Sequence, residues 1–221
     1  RQKQIAHNYL ERINYLSARE ESGQKIIKES IGRDVQLVCD PALLLTSKEW
    51  DEVATHNKLI KEKYIFCYFM GDNPWQRSFA EKIKEKTGYK IVSLLHLDQY
   101  IKSDEDYVDY APYNISPADF VNLVKYSEMV CTDSFHGTVF SLIYNKKFFT
   151  FMRFSENATL STNSRITTLL KQVGAENRLI LKDTAFEQCF EQYIDYDSIQ
   201  EKIDNFRNKS LEYLIKALEK R

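Results

Sequence analysis

The stretch MVCTDSFHGTVFS, residues 129–141, decides the fold, because a strand passes directly into a helix there. Met129 to Cys131 is a short apolar run typical of a buried strand, and Thr132 to Ser134 has the composition of a turn. After the turn, apolar residues recur at helical spacing: Phe135, Val139, Leu142 and Ile143. We therefore predict a strand, a tight turn and a helix that begins just after Ser134.

The first turn of this helix is a candidate anion site. Ser134 is a natural N-cap, and it places His136 and Gly137 where unpaired backbone N–H groups and the helix dipole favour an anion. Gly137 leaves room for a ligand to approach the backbone, and His136 is able to move a proton near neutral pH. A capped helix whose histidine fills space in the core fits the same spacing. Both interpretations stay open on the residues alone.

Four segments of the chain together resemble the polysaccharide pyruvyl transferase family: YLSARE at 15–20, DPALLL at 40–45, TDSFHGTVFS at 132–141 and STNSRI at 161–166. The resemblance implies an α/β fold, a Rossmann-like parallel sheet with helices on both faces, similar to one half of a GT-B glycosyltransferase. It also implies transfer of the carbon unit of phosphoenolpyruvate to a sugar, which forms a pyruvate ketal and releases phosphate. One departure is Ser134-Phe135-His136, where many members of the family carry Arg-Leu-His.

The resemblance also assigns roles to residues. His136 is expected to act as an acid/base or to contact phosphate, while Arg19 and Arg165 clamp the carboxylate and phosphate of the donor. Donor or sugar binding is expected from further positions: Ser17, Gly71, Asp72, Asn73, Asp133, Ser134, Phe135 and Gly137. The resemblance implies no metal and no cofactor, since phosphoenolpyruvate is a substrate.

Two arginines occupy places that helices disfavour. Ser17 and Glu20 have the S-x-x-E spacing of a capping box, which predicts Arg19 in a first helical turn, and Arg165 opens another predicted helix. The helix dipole is positive at that end, so a cation is unfavourable there unless an anion lies nearby. A ligand shared by both arginines would remove the conflict. Alternatively, Arg19 points into water or pairs with an acid such as Glu21.

Other segments have structural explanations. Tyr64 to Met70 reads as a central strand, and the loop from Gly71 to Pro74 then opens a helix, an arrangement that presents backbone N–H groups to a phosphate. Asp40-Pro41 ends a shorter apolar run, and we interpret Asp40 as a turn residue. Asp98 to Tyr113 interleaves acids with tyrosines without a period, which indicates a surface loop that its tyrosines hold down.

Composition excludes several classes of function. The 221 residues carry a net charge of -1, which gives no electrostatic reason to bind nucleic acid, and no apolar run approaches the roughly 20 residues of a membrane span. The four cysteines are dispersed, as expected for reduced thiols in a cytoplasmic protein. We expect residues 1–221 to form one domain, the C-terminal, donor-side part of a longer two-domain protein. A homo-oligomer is compatible with the sequence, which does not fix the oligomeric state.

The family implies a small-molecule donor and, as acceptor, a sugar or a lipid-linked oligosaccharide that becomes a cell-surface or secreted polysaccharide. The expected location is the cytoplasm or the inner face of the membrane. Two alternatives remain. A GT-B nucleotide-sugar glycosyltransferase would share the architecture, since fold does not fix function. A non-catalytic anion-binding module with a degenerate site would explain why Ser134 replaces the arginine of the family.

Overall fold

The computed structural model describes residues 2–154 and 163–219; Ser161 and Thr162 of the fourth motif lie outside these ranges. The helices are α1 (Gln2–Glu11), α2 (Glu21–Ile31), α3 (Ser47–Val53), α4 (Pro74–Thr87), α5 (Pro117–Tyr126), α6 (Phe135–Ile143), α7 (Asn163–Val173), α8 (Phe186–Glu191) and α9 (Tyr196–Glu219). The strands are β1 (Ser17–Ala18), β2 (Gln36–Leu37), β3 (Tyr64–Tyr68), β4 (Lys90–Ser93), β5 (Met129–Thr132), β6 (Lys147–Phe151) and β7 (Leu179–Ile180).

The structure contains two sheets, and each forms the centre of one structural unit. The sheet of the larger unit is parallel and has five strands in the order β4-β3-β5-β6-β7. Tyr64 and Phe66 of β3 pack with α5, α6 and α7 on one face, whereas Ile65 and Cys67 pack with α4 and α8 on the other. The predicted α/β fold, a parallel sheet covered on both faces, is confirmed. Strand β4 pairs with one edge of β3, and the chain then returns to pair β5 with the other edge, so the strand order reverses at β3. Open parallel sheets bind ligands beside such a reversal, at the carboxyl ends of the strands.

A second, smaller sheet contains only β1 and β2, which pair in parallel through Ser17 and Gln36. The sequence predicts the first strand at 13–17, and the structure moves it to 17–18. Arg19 therefore follows a strand of the small sheet, and not a strand of the sheet that carries His136. The assignment of residues 1–221 to a single domain stays a prediction.

The C-terminal helix α9 connects the two units. The Ser210 hydroxyl accepts a hydrogen bond from the Cys39 N–H at 2.9 Å, and the Tyr213 hydroxyl donates to the Leu16 carbonyl at 2.8 Å. Arg207 Nε donates to the Leu43 carbonyl at 2.6 Å. These bonds fix the segment that follows β2, including the DPALLL motif, against the end of the chain.

Helical spacing predicts buried faces that include Ile26 of α2 and Leu214 and Leu218 of α9, and both predictions are wrong in part. Ile26 is 60% exposed, and α2, which packs against α1 and the short β1–β2 sheet, buries none of its residues. Leu214 and Leu218 of α9 are also exposed, since the buried residues of that helix end at Ser210. Helix α8 was not predicted from the sequence, because it is short and has no side-chain N-cap.

The junction between β5 and α6 has the predicted form, but Gly137 has a different role. Ser134 is the N-cap, and its hydroxyl accepts from the Gly137 N–H at 3.4 Å. Gly137 is buried, and a Cβ there would lie 2.3 Å from Thr132 Oγ1. The expectation that Gly137 admits a ligand is therefore wrong, because the space beside it is filled by the last residue of β5.

Replacing Gly137 with alanine is expected to destabilise the protein by about 1–3 kcal/mol, because the new methyl group overlaps Thr132 in a packed interior. Urea denaturation measures the loss. In the double variant Thr132→Ala/Gly137→Ala the overlap is reduced, so the double variant should lose less stability than the two single changes added together. Strict additivity would contradict the packing explanation.

Candidate functional site

A pocket of about 660 Å³ opens beside the carboxyl ends of β3 and β5. Four of its polar side chains lie on one rim: Arg19, Asp40, Ser134 and His136. The first two follow the strands of the small sheet, and the last two follow β5 of the large sheet. The rim is therefore assembled from the carboxyl ends of strands in both sheets.

Arg19 forms an ion pair with Asp40. Arg19 Nη1 donates to Asp40 Oδ2 at 2.5 Å, and the Arg19 side chain keeps 37% of its surface exposed. The predicted capping box is wrong: α2 begins at Glu21, and Glu20 is its N-cap without a side-chain bond. Arg19 thus precedes the helix, so the dipole conflict expected for it does not arise. A pair between Arg19 and an acid was one of the predicted alternatives, with Glu21 as the example, but the partner is Asp40.

Asp40 is a buried carboxylate with several partners. Its side chain is 4% exposed, and Oδ1 accepts from the Ala42 N–H at 3.0 Å, so it caps the 3₁₀ turn Pro41–Leu44. Burial raises the pKa of Asp40, but the His136 ring, the Ala42 N–H and the Arg19 guanidinium together outweigh it and lower the pKa to about 2. The interpretation of Asp40 as a turn residue is confirmed, yet Asp40 also faces the pocket.

His136 points out of the protein core. Its side chain is 53% exposed, and Nε2 lies 3.8 Å from Asp40 Oδ1, within ion-pair range but too far for a direct hydrogen bond. The histidine therefore does not fill space in the core, as one of the two open interpretations required. It stands in the first turn of α6, where helix geometry leaves the backbone N–H groups of Phe135 and His136 without intrahelical partners.

Phe135 brings the two arginines together. Its ring is 7% exposed, and the guanidinium carbons of Arg19 and Arg165 lie 5.2 Å and 5.9 Å from the ring centroid. The Ser164 hydroxyl donates to Glu20 Oε2 at 2.9 Å, which holds the start of α7 beside the start of α2. Residues far apart in the sequence thus converge on one aromatic ring, as cation–π attraction favours.

Arg165 differs from Arg19 in its charge balance. It lies in the first turn of α7, as predicted, and within the described ranges it has no carboxylate partner. Its Nε atom is buried and has no hydrogen-bond partner among residues 2–154 and 163–219. A cation at a positive helix end with an unpartnered buried donor is a place where an anion would be stabilised.

The loop after β3 does not line this pocket. The carboxylate of Asp133 is buried and accepts from the Met70 and Gly71 N–H groups at 2.6 Å and 3.0 Å. Burial raises the pKa of Asp133. The N–H group expected to meet a phosphate at Gly71 is therefore occupied by the protein itself, and Asn73 is occupied as the N-cap of α4. Asp72 is exposed outside the pocket.

Ser17 also lies outside the lining residues, in β1, where it is exposed. Two charged residues were left out of the predicted site. Asp40 lies three positions after the end of β2, and Arg153 lies two positions after the end of β6; position after a strand was the signal available for both. Arg153 Nε is buried without a hydrogen-bond partner in the described ranges, 4.0 Å from Asp133 Oδ1.

The acidic loop at 98–113 is attached to the protein surface, partly as predicted. The buried Tyr107 hydroxyl lies 2.6 Å from Ser93 Oγ, which confirms a tyrosine anchor. Asp104 pairs with the buried Arg77 at 2.6 Å and with His96 Nδ1 at 2.8 Å. His96 therefore supports this loop.

Within residues 2–154 and 163–219 no group of three or more His, Cys, Asp or Glu side chains is arranged to hold a metal ion. Nor does any helix there have the length and apolar character needed to cross a membrane. All four cysteines are buried free thiols.

The fold is similar to that of solved UDP-GlcNAc 2-epimerases, which have the GT-B fold. The enzyme from Neisseria meningitidis, bound to UDP-GlcNAc, is 14% identical with a TM-score of 0.53, covering 94% of this chain and 61% of the epimerase. A putative epimerase from Listeria monocytogenes is 14% identical (TM-score 0.51; 93% and 56%), as is the Methanocaldococcus jannaschii enzyme in complex with UDP-GlcNAc and UDP (0.51; 94% and 61%). The chain thus spans 56–61% of their length, and identity this low shows the fold alone.

The family follows from the sequence. The model of the polysaccharide pyruvyl transferase family matches residues 2–153, and the chain belongs to this family. The match includes the motifs around Arg19, Asp40 and His136 and ends before the segment that carries Arg165. No curated protein matches the chain.

Asp40→Asn tests the buried carboxylate. The folded pKa of about 2 lies below the ordinary 3.8, so Asp40 stabilises the fold above pH 3.8 by roughly 2 kcal/mol, and this contribution disappears as the pH falls towards 2. Denaturation of the parent and the variant between pH 7 and pH 2 measures the difference. The difference should shrink towards acid; a constant difference would show that the charge of Asp40 contributes nothing.

The two arginines are expected to respond differently to substitution by glutamine. Arg19→Gln should destabilise the ligand-free protein by about 1–3 kcal/mol, because the buried Asp40 loses a charged hydrogen bond. Arg165→Gln removes a cation from a positive helix end and should leave stability unchanged or raise it by a few tenths of a kcal/mol. Chemical denaturation of both variants compares them, and equal losses would refute the contrast.

Proposed function

We propose that this chain carries the donor site of a pyruvyl transferase, with phosphoenolpyruvate bound beside Phe135. One observation carries the proposal: the Phe135 ring gathers the guanidinium groups of Arg19 and Arg165 at the place where His136 is exposed. Membership of the family supports it, since the matched region contains both Arg19 and His136.

The charges around the Phe135 ring suit a small anion. The charge of Arg19 is matched by Asp40, whereas Arg165 has no carboxylate partner in the described ranges. The N–H groups of Phe135 and His136, which have no partner within the described ranges, add two neutral donors at the positive end of α6. We infer that Arg165 and these N–H groups meet the phosphate or carboxylate first. Arg19 then offers the donors that Asp40 leaves free.

The proposed reaction joins one sugar to the three-carbon donor. A proton is delivered to the methylene carbon of phosphoenolpyruvate, a sugar hydroxyl bonds to the adjacent carbon, and the bond from that carbon to the phosphate oxygen breaks. A second hydroxyl of the same sugar then completes the ketal. The two sugar hydroxyls release two protons. One returns to the acid that protonated the methylene carbon, and the other leaves with phosphate. His136 is the proposed acid and base, with the Asp40 carboxylate beside its Nε2.

The acceptor in this proposal is a sugar of a cell-surface or secreted polysaccharide precursor, modified in the cytoplasm or at the inner face of the membrane. A second candidate is a non-catalytic anion-binding module, and the specific observation in its favour is Ser134. Its hydroxyl is occupied as the N-cap of α6, so it does not replace the cation that many family members carry there.

Calorimetric titration with phosphoenolpyruvate, inorganic phosphate and UDP separates the candidates. Tightest binding of phosphoenolpyruvate is the expected result. Preference for UDP would favour a nucleotide-sugar glycosyltransferase, and equal affinity for phosphoenolpyruvate and phosphate would favour the simple anion module. Either outcome would overturn the proposed donor.

His136→Ala should weaken phosphoenolpyruvate binding about tenfold to hundredfold while changing stability by less than about 1 kcal/mol, because the ring is 53% exposed. The matched control is His56→Ala, which truncates an exposed histidine outside the pocket. Calorimetry and thermal melts of both variants give the two quantities. A sharp fall in the melting temperature of the His136 variant with unchanged donor affinity would remove His136 from the site.

A further inference from the structure

The pocket beside His136 is larger and more apolar than the proposed donor requires. Its volume is about 660 Å³, within the range of pockets that enclose a drug-sized molecule, whereas phosphoenolpyruvate is a three-carbon anion. Away from the rim, the walls are formed by Leu45, Trp50, Val53, Phe120 and Phe140. Among the described residues no charged side chain lines this inner part, so the inner part offers nothing to a phosphate.

Aromatic rings make up the inner wall. Trp50 meets Phe140 edge to face at 4.9 Å, Phe120 meets Phe140 at 5.7 Å, and Tyr68 meets Phe120 at 5.1 Å. The indole N–H of Trp50 donates to the Ala42 carbonyl at 2.9 Å, so it does not need a hydrogen-bond acceptor from a ligand. Rings locked against one another in this way form a rigid apolar surface that does not need ordering when a ligand binds.

One polar group remains in the wall. The Tyr68 hydroxyl has no hydrogen-bond partner in the described part of the chain. Burial raises the pKa of Tyr68, so the hydroxyl stays neutral. The pocket therefore suits an uncharged molecule with one hydrogen-bonding group among apolar surface, reaching the charged rim at its other end.

We propose that this pocket binds the acceptor, and that the acceptor is an uncharged glycoside carrying an apolar group, alkyl or aromatic, next to the sugar that is modified. The inference rests on the proposed function, because a hydroxyl of that sugar must reach His136 at the rim. The apolar group lies against Trp50, Phe120 and Phe140.

The test uses Trp50 as a reporter. The chain has two tryptophans, so Trp50 is the remaining one in the Trp75→Phe variant. Trp75 packs on the opposite face of the large sheet, away from the pocket. Octyl, phenyl and methyl β-D-glucosides are titrated separately while Trp50 emission is recorded, with octyl glucoside kept below its micelle concentration. Octyl or phenyl glucoside should bind with a saturable signal at least about tenfold tighter than methyl glucoside. The tighter of the two identifies the apolar group as alkyl or aromatic.

Two charge variants on α3 locate the binding. Val53→Glu places a carboxylate in the pocket wall at a residue that is 49% exposed, and it should abolish the preference for the apolar glucosides. Lys48→Gln makes the same change in net charge at an exposed position of α3 that does not line the pocket, and it should leave the preference intact. Equal affinities for the three glucosides, or a preference that survives Val53→Glu, would overturn the proposal.

Titration of the same protein with phosphoenolpyruvate separates this inference from the donor assignment. If the apolar glucosides bind and phosphoenolpyruvate does not, the pocket stands as a glycoside site and the proposed donor fails. If phosphoenolpyruvate binds and the glucosides show no preference, the donor site stands and the acceptor inference fails.

Discussion

The ion pair between Arg19 and Asp40 is the constraint on which the rim depends. A buried carboxylate is costly unless cations and N–H donors surround it, and Asp40 finds them in Arg19, the Ala42 N–H and the nearby His136 ring. These partners come from the end of β1, from the turn after β2 and from the start of α6. Meeting the needs of one charge therefore fixes three chain segments relative to one another.

The same principle explains why a loop that looks suited to phosphate is closed. Backbone N–H groups after β3 donate to an anion, but the anion is the side chain of Asp133. Gly71 lets the carboxylate approach, since a Cβ there would lie 2.9 Å from Asp133 Oδ2. The protein thus uses one strand–helix junction for its own cohesion, whereas the first N–H groups of α6 have no partner in the described part of the chain.

Local chemistry was predictable from the sequence, and pairing between distant segments was not. Ser134 caps α6 as expected, because capping depends on residues within one turn. The parallel sheet also follows from the alternation of apolar runs with helical patterns. The division of the strands between two sheets, and the pairing of Arg19 with Asp40 across 21 positions, depend on tertiary contacts that no short pattern encodes. Gly137 shows the limit most clearly, because a small residue at a helix start fits both a ligand and a neighbouring side chain.

The attachment of the rim to α9 has a consequence for how the protein is made. Cys39 and Ser210, which bond across the two units, are separated by 171 positions in the chain. During synthesis the segment with Asp40 leaves the ribosome before its support in α9 has been made. Contacts of such long sequence separation form late in folding. The large sheet is therefore able to assemble first, and the geometry of the rim is completed only after α9 has been translated.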